Sequence, residues 1–280
     1  MGEHLTIMGA GGTMGSRIRS NLSGIEGYDI RCVEPDQEAQ ERIEEDGFTV
    51  YEASAAVPGS DIVILAVPDH KIGEIAASIT PLLDPNAMVF LLDPAAAYAG
   101  VVPTGDDNPI FVTHPCHPPL FGDAPPDDWF GGQGQAEQAL VCALHHGDDA
   151  AYERGVTLAR AIFAPVAETY RISVEQMAQL EPGLVENMLT AFLLAMQDGA
   201  DQLIESGIPA DAVMQMMLGH MRTQLAMFFG PLDHALSAGA KRAVEQGREQ
   251  VLSADWKAVL GPERVKENAI DIATLSNKNE

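Results

Sequence analysis

The chain has 280 residues, 46% of them hydrophobic, with 16 basic against 41 acidic residues and a formal net charge of −25. That composition excludes the disordered class, and the length suits two domains. So negative a surface repels polyanions, so neither nucleic acid nor an anionic membrane is an expected partner.

No uncharged apolar run reaches the roughly 18 residues of a membrane span, and no secretory signal opens the chain. Cys32, Cys116 and Cys142 are odd in number, widely spaced and in no metal-like pair. Together these features predict a cytoplasmic protein.

In chain order, Leu5–Met8 is a short apolar run followed by glycines, and Thr13–Leu22 reads as a helix. Tyr28–Glu34 is a second strand, Asp36–Asp46 a polar helix and Phe48–Val50 a short third strand. Asp61–Val67 is continuously apolar, as a strand covered on both faces should be. His70–Ile79 is helical with Asp69 as its expected N-cap, and Met88–Leu92 and Ile110–Thr113 supply further strands. Pro115–Gln135 reads as a long loop, a length that is usually functional or mobile. Gln138–Leu144 and Ala167–Arg171 complete the strands, around a helix from about Asp148 to Phe163.

Strand signals stop after Arg171. Ser173 and Gln176 have capping-box spacing, and the chain is then helical and methionine-rich to about Gly230. The predicted architecture is α/β: a doubly wound Rossmann sheet over residues 1–172 and an all-helical domain over 173–280. Met188–Met196 is apolar nearly all round. Such a helix is buried on every side, which in so small a domain predicts a homodimer through the C-terminal helices.

The first strand runs into Gly9-Ala10-Gly11-Gly12-Thr13-Met14-Gly15. Glycines there permit a tight turn and let backbone N–H groups approach a diphosphate at a helix N-terminus. The spacing departs from G-x-G-x-x-G, because Met14 holds the last glycine's place and Gly15 lies one beyond. Glu34, 19 residues after Gly15, can accept hydrogen bonds from ribose hydroxyls and repel a 2′-phosphate. These features predict NAD as cofactor. Arg17 and Arg31 are the cations that would favour NADP, and neither is in the usual place. Val67-Pro68-Asp69, after the Asp61–Val67 strand, should border the cofactor.

Phe111–Phe121 carries two histidines among three prolines. His114 ends a strand on the cofactor edge, and a histidine near its ordinary pKa suits removal of a proton from an alcohol as hydride leaves. His117 shares that stiff segment; Cys116 has no activating base pattern and is expected to pack. Leu180-Glu181-Pro182-Gly183 predicts a helix restarting at Pro182, with Glu181 on irregular backbone just outside. His220 reads as a core histidine.

Gly9–Gly15, Ala66–Asp69, Thr113–Pro119, Val174–Met177, Leu180–Leu184 and Leu218–Met221 resemble the D-apionate oxidoisomerases, over nearly the whole chain. That resemblance implies oxidation of a branched sugar acid with NAD, coupled to an α-ketol shift giving 3-oxo-isoapionate. The catalytic candidates are then His114, with His117 and Glu181. A divalent metal could polarise the ketone, with His117 and Glu181 as candidate ligands. An acid substrate needs a basic anchor, for which Arg222 and Lys241 are the candidates. Two alternatives remain: a β-hydroxyacid- or prephenate-type dehydrogenase, and a dinucleotide-binding regulator without turnover. The first group's lysine has no counterpart, since no lysine lies between Lys71 and Lys241.

Overall fold

The computed structural model describes residues 2–103, 107–130 and 136–275. Seven strands form one sheet in the order β2-β1-β3-β4-β5-β6-β7. They are β1 (Glu3–Met8), β2 (Tyr28–Val33), β3 (Ile62–Leu65), β4 (Met88–Leu91), β5 (Ile110–Pro115), β6 (Gln138–His146) and β7 (Val166–Arg171). The first five run parallel, so their carboxyl ends share one edge. β6 lies antiparallel to β5, and β7 parallel to β6, which makes a mixed flank where a wholly parallel extension would also have been consistent with the apolar patterning.

Alternation along the strands explains why both faces are covered. Ile62 and Ile64 join one buried cluster with Leu5, Ile7 and Phe111, while Val63 and Leu65 join another with Ile72 and Val112. Helices α1 (Thr13–Leu22) and α6 (Asp149–Ile162) contribute to the first cluster; α4 (Asp69–Ile79) contributes to the second. Between them in sequence lie α2 (Gln37–Glu45), α3 (Ala53–Ala56) and α5 (Ala95–Ala99).

Three local expectations are corrected. Phe48–Val50 is not a strand: Val50 makes one isolated bridge to Cys32, in a segment too short to extend a ladder. Asp69 is the first residue of α4 and not its cap; Pro68 holds the N-cap position, with no side-chain capping bond. The helix does not restart at Pro182. A five-residue α7 (Val174–Ala178), opened by the Ser173–Gln176 capping box, runs straight into a π-helix over Gln179–Thr190 that contains Pro182. A wider turn relieves the clash between a proline ring and the carbonyl one α-turn earlier, so the chain stays helical through the proline.

The described residues form two compact units, 2–182 with 265–275, and Gly183–Arg264. The division thus falls ten residues beyond 172. Val174 and Met177 of α7 belong to the sheet's second buried cluster, as does Ala273 of the last helix, α11 (Pro262–Thr274). The second unit contains α8 (Ala191–Glu205), α9 (Ala210–Phe229) and α10 (Ala238–Val251). Among the described residues, no helix is long and apolar enough to cross a membrane.

Candidate active site

Two cavities open near the carboxyl edge of the sheet. The larger, about 830 Å³, is walled by Gly9, Gly11, Gly12, Glu34, Val67 and Pro68, together with Asp36, Gln40 and Lys71. It lies where the strand order reverses about β1, the switch point at which doubly wound sheets take their ligands.

The glycine loop is shaped by close approach. Gly9 has φ +76°, and a Cβ there would stand 2.4 Å from the Ala66 carbonyl oxygen. A Cβ at Gly15 would stand 2.3 Å from the Gly9 carbonyl oxygen. Gly15 therefore does the helix-to-strand packing work of the displaced third glycine. No side chain caps α1, so its first N–H groups remain available to an anion.

The Glu34 carboxylate accepts from the Gly11 N–H at 2.9 Å and from the Asp36 N–H at 3.1 Å. It is thereby fixed at the cavity wall with its charge close to where a ribose 2′-position would come. Arg31 is turned away, its Nη1 donating to the carbonyls of Ala56 and Pro58, each at 2.9 Å. The residues present fit NAD: the fixed Glu34 anion faces the cavity and Arg17 and Arg31 lie outside its walls, Arg42 and Lys71 being the cations that line it. Ala10 is buried beneath the loop. Asp69 is not part of this wall.

Thr13 and Met14 instead border the second cavity, about 330 Å³, with Arg17, His114, His117 and Phe130. His114 sits within β5, which extends to Pro115. Its Nδ1 is 3.1 Å from the Leu92 carbonyl oxygen and 3.8 Å from Asp93 Oδ2; its Nε2 is 3.6 Å from Glu181 Oε2. A carbonyl can only accept, so Nδ1 carries the proton and Nε2 is left as the acceptor. Burial pushes the His114 pKa down, against the opposing pull of the Leu92 carbonyl and Asp69, so the ring is neutral around pH 7. Burial pushes Glu181 and Asp69 upward in turn, Asp69 adding to the rise at Glu181. A neutral base with a raised-pKa carboxyl group at its acceptor nitrogen is an arrangement suited to proton transfer.

His117 has φ +60°, left-handed backbone that few non-glycine residues adopt. Its Nδ1 lies 3.1 Å from the Phe130 carbonyl, and the Phe130 ring meets it edge-on at 5.8 Å. With Glu181 it forms no metal centre: no group of three or more His, Cys, Asp or Glu side chains among the described residues could hold an ion. Two donors fall short of the coordination that zinc, calcium or magnesium demand. Cys116 is exposed where packing was expected, and partial desolvation of its thiol raises its pKa, so it is no activated thiolate. His220 is also exposed, its Nδ1 bonded to the Met216 carbonyl within α9, because the helix around it lacks a covering layer.

Sequence reasoning missed Leu92, Asp93 and Phe130, and it named Arg17 only as a cation that would favour NADP. Leu92-Asp93-Pro94 follows β4 at the same edge as Val67-Pro68-Asp69 follows β3, and that parallel could have singled out Asp93. Nothing local places Arg17 at the smaller cavity.

The chain is similar to proteins of known kind along its whole length. Residues 2–118 match the family model described as acetohydroxy acid isomeroreductase, NADPH-binding domain, and residues 122–273 match phosphogluconate dehydrogenase (decarboxylating) C-term. It is 40% identical to a D-apionate oxidoisomerase of Rhizobium rhizogenes, over 93% of this chain and 96% of that protein. It is 38% identical to a D-apionate oxidoisomerase of Cupriavidus necator, over 96% and 98%. Among solved structures it matches a semialdehyde dehydrogenase NAD-binding protein from Cupriavidus necator, solved with calcium and NAD, at TM-score 0.92 and 38% identity, covering 97% of this chain and 100% of that one. An NADH-preferring ketol-acid reductoisomerase from an uncultured archaeon shares the fold, at TM-score 0.69 and 19% identity, over 97% and 82%. This chain belongs to the D-apionate oxidoisomerase family.

Proposed function

We propose that the protein is an NAD-dependent oxidoisomerase acting on D-apionate or a close relative, with His114 as the general base. The observation that carries this reading is the 3.1 Å contact between His114 Nδ1 and the Leu92 carbonyl oxygen, which assigns the proton to Nδ1 and leaves Nε2 to accept. Family membership, the NAD complex of the Cupriavidus necator protein, and the carboxylate of Glu34 in the larger cavity support the choice of cofactor.

When bound, NAD supplies the hydride acceptor. Nε2 of His114 takes the hydroxyl proton as hydride departs from the same carbon, and the product is a ketone. Where a tertiary alcohol adjoins that ketone, an α-ketol shift can follow. The tertiary hydroxyl loses its proton, a carbon substituent moves with its bonding pair to the carbonyl carbon, and the former carbonyl oxygen gains a proton. Glu181, with its raised pKa, is suited to exchange that proton with His114 3.6 Å away.

The reading includes a homodimer through the second unit. In Gly183–Arg264 only Gly183, Ala200 and Val213 are buried, while Leu194, Met216 and Phe229 are 56%, 64% and 79% exposed. So little burial cannot hold a helical unit together by itself, which favours a second copy as the cover.

The test is absorbance of NADH on mixing the protein with NAD and D-apionate, with the product identified by mass and NMR. NADH together with the rearranged keto acid is expected. Tight NAD binding with no turnover of D-apionate or related acids would instead favour a regulator.

A further inference from the structure

The smaller cavity is bordered by a buried cation with no ion-pair partner among the described residues. Arg17 is 5% exposed, yet among the described residues its Nε and Nη2 have no hydrogen-bond partner. Its Nη1 donates to the Phe130 carbonyl at 3.2 Å, and its Cζ lies 5.0 Å from the centroid of the Phe163 ring. A guanidinium has five N–H donors in a planar fork, and here only one has a partner. Burial pulls its pKa down and nearby Asp128 pulls it up, but no carboxylate among the described residues comes within salt-bridge distance.

Leaving a buried guanidinium half-satisfied costs stability, and it persists where a ligand completes it. Arg17 borders the cavity of His114 and His117 and not the larger cavity of Glu34. Among the described residues of the smaller cavity's wall it is the one arginine or lysine. The rest of the wall is Thr13, the two histidines, one acid (Asp127) and apolar side chains such as Phe130 and Phe163. In a chain of net charge −25, an anionic substrate needs a local countercharge here.

We propose that the Arg17 guanidinium binds the carboxylate of the sugar-acid substrate, its planar fork of donors matching a carboxylate's two oxygens. The inference rests on the reading of this cavity as the substrate site. It differs from the candidates Arg222 and Lys241, neither of which is among the described residues lining the smaller cavity. Binding through the carboxylate fixes the acid end of the substrate beside the Phe163 ring and leaves its hydroxylated end for His114. It makes the enzyme selective for sugar acids over the corresponding neutral sugars.

The experiment compares wild type with Arg17→Met, which keeps the chain's bulk, and Arg17→Lys, which keeps the charge but not the fork. Two readouts are used: steady-state kinetics with D-apionate, and titration of the NADH complex with tartronate, glycerol serving as the uncharged control. In Arg17→Met, the KM for D-apionate and the Kd for tartronate should each rise on the order of 10²-fold, with NAD affinity within about threefold of wild type. Arg17→Lys should fall between. Unchanged KM and tartronate affinity in either folded variant overturns the proposal. So does a loss of NAD affinity that equals the loss of substrate affinity, because the arginine would then serve the cofactor or the fold. Should wild type fail to turn over D-apionate, Arg17-dependent tartronate binding still upholds the carboxylate site while the wider functional reading falls.

Discussion

Nε2 of His114 lies 3.6 Å from Oε2 of Glu181, although β6, α6, β7, α7 and the start of the π-helix separate the two residues in the chain. The contact joins a base whose pKa burial lowers to an acid whose pKa burial raises. Both shifts favour the neutral forms and bring the two pKa values toward each other, which suits the pair to proton exchange.

Replacing His114 with Ala should cut kcat by 10²-fold or more while leaving the NAD dissociation constant unchanged. Rapid mixing with NAD and D-apionate, alongside fluorescence titration of the cofactor, measures both. Loss of cofactor binding would place His114 in the wrong role.

The pH profile follows from the direction of the His114 shift. A base works when deprotonated, so a lowered pKa extends activity to more acidic pH. The acid limb of kcat/KM should therefore fall off below the ordinary histidine range of about 6.5. An acid limb clearly above that value would contradict the assignment of His114 as the base.

Changing Glu181 to Gln should lower kcat about tenfold with little change in NAD affinity, since it removes a proton partner but keeps shape and polarity. If the variant oxidises D-apionate at the wild-type rate yet accumulates the unrearranged ketone, Glu181 serves the isomerisation alone. Full activity in both stages would exclude it from proton transfer.

Removing the Glu34 carboxylate with Ala should weaken NAD about tenfold and narrow the gap between NAD and NADP. It also deprives the Gly11 N–H of its 2.9 Å partner. Calorimetric titration with both cofactors decides the matter, and a wild type that already prefers NADP would refute the argument.

The second unit yields a prediction about assembly. Light scattering of the purified protein should give twice the mass of one 29.9 kDa chain. Placing Asp at Leu194 and Met216, 56% and 64% exposed in the single chain, should then produce monomer of lower thermal stability. A wild-type monomer with a stable helical unit would leave those apolar surfaces without the cover inferred for them.

Much of the first unit is legible in sequence because local rules and the tertiary arrangement agree. The glycine loop, the continuous apolar run of β3 and the Ser173–Gln176 capping box each act within a few residues, where steric and hydrogen-bonding preferences suffice. Glu34 is readable because its role depends on a fixed distance along the chain from the loop. Phe48–Val50 and the expected helix break at Pro182 are instances where local preference loses. A neighbouring ladder was too short in the first case, and a π-helix absorbed the proline in the second.

The sequence by itself determined the class of cofactor site, the doubly wound sheet and the histidine at its ligand edge, because short continuous apolar runs alternating with helical segments, and a glycine turn, encode them directly. Only the tertiary structure decided which distant groups share that histidine's surroundings. The Leu92 carbonyl, the Glu181 carboxyl and the unpaired guanidinium of Arg17 all acquire their chemistry from burial and from through-space neighbours, neither of which any spacing in the chain records.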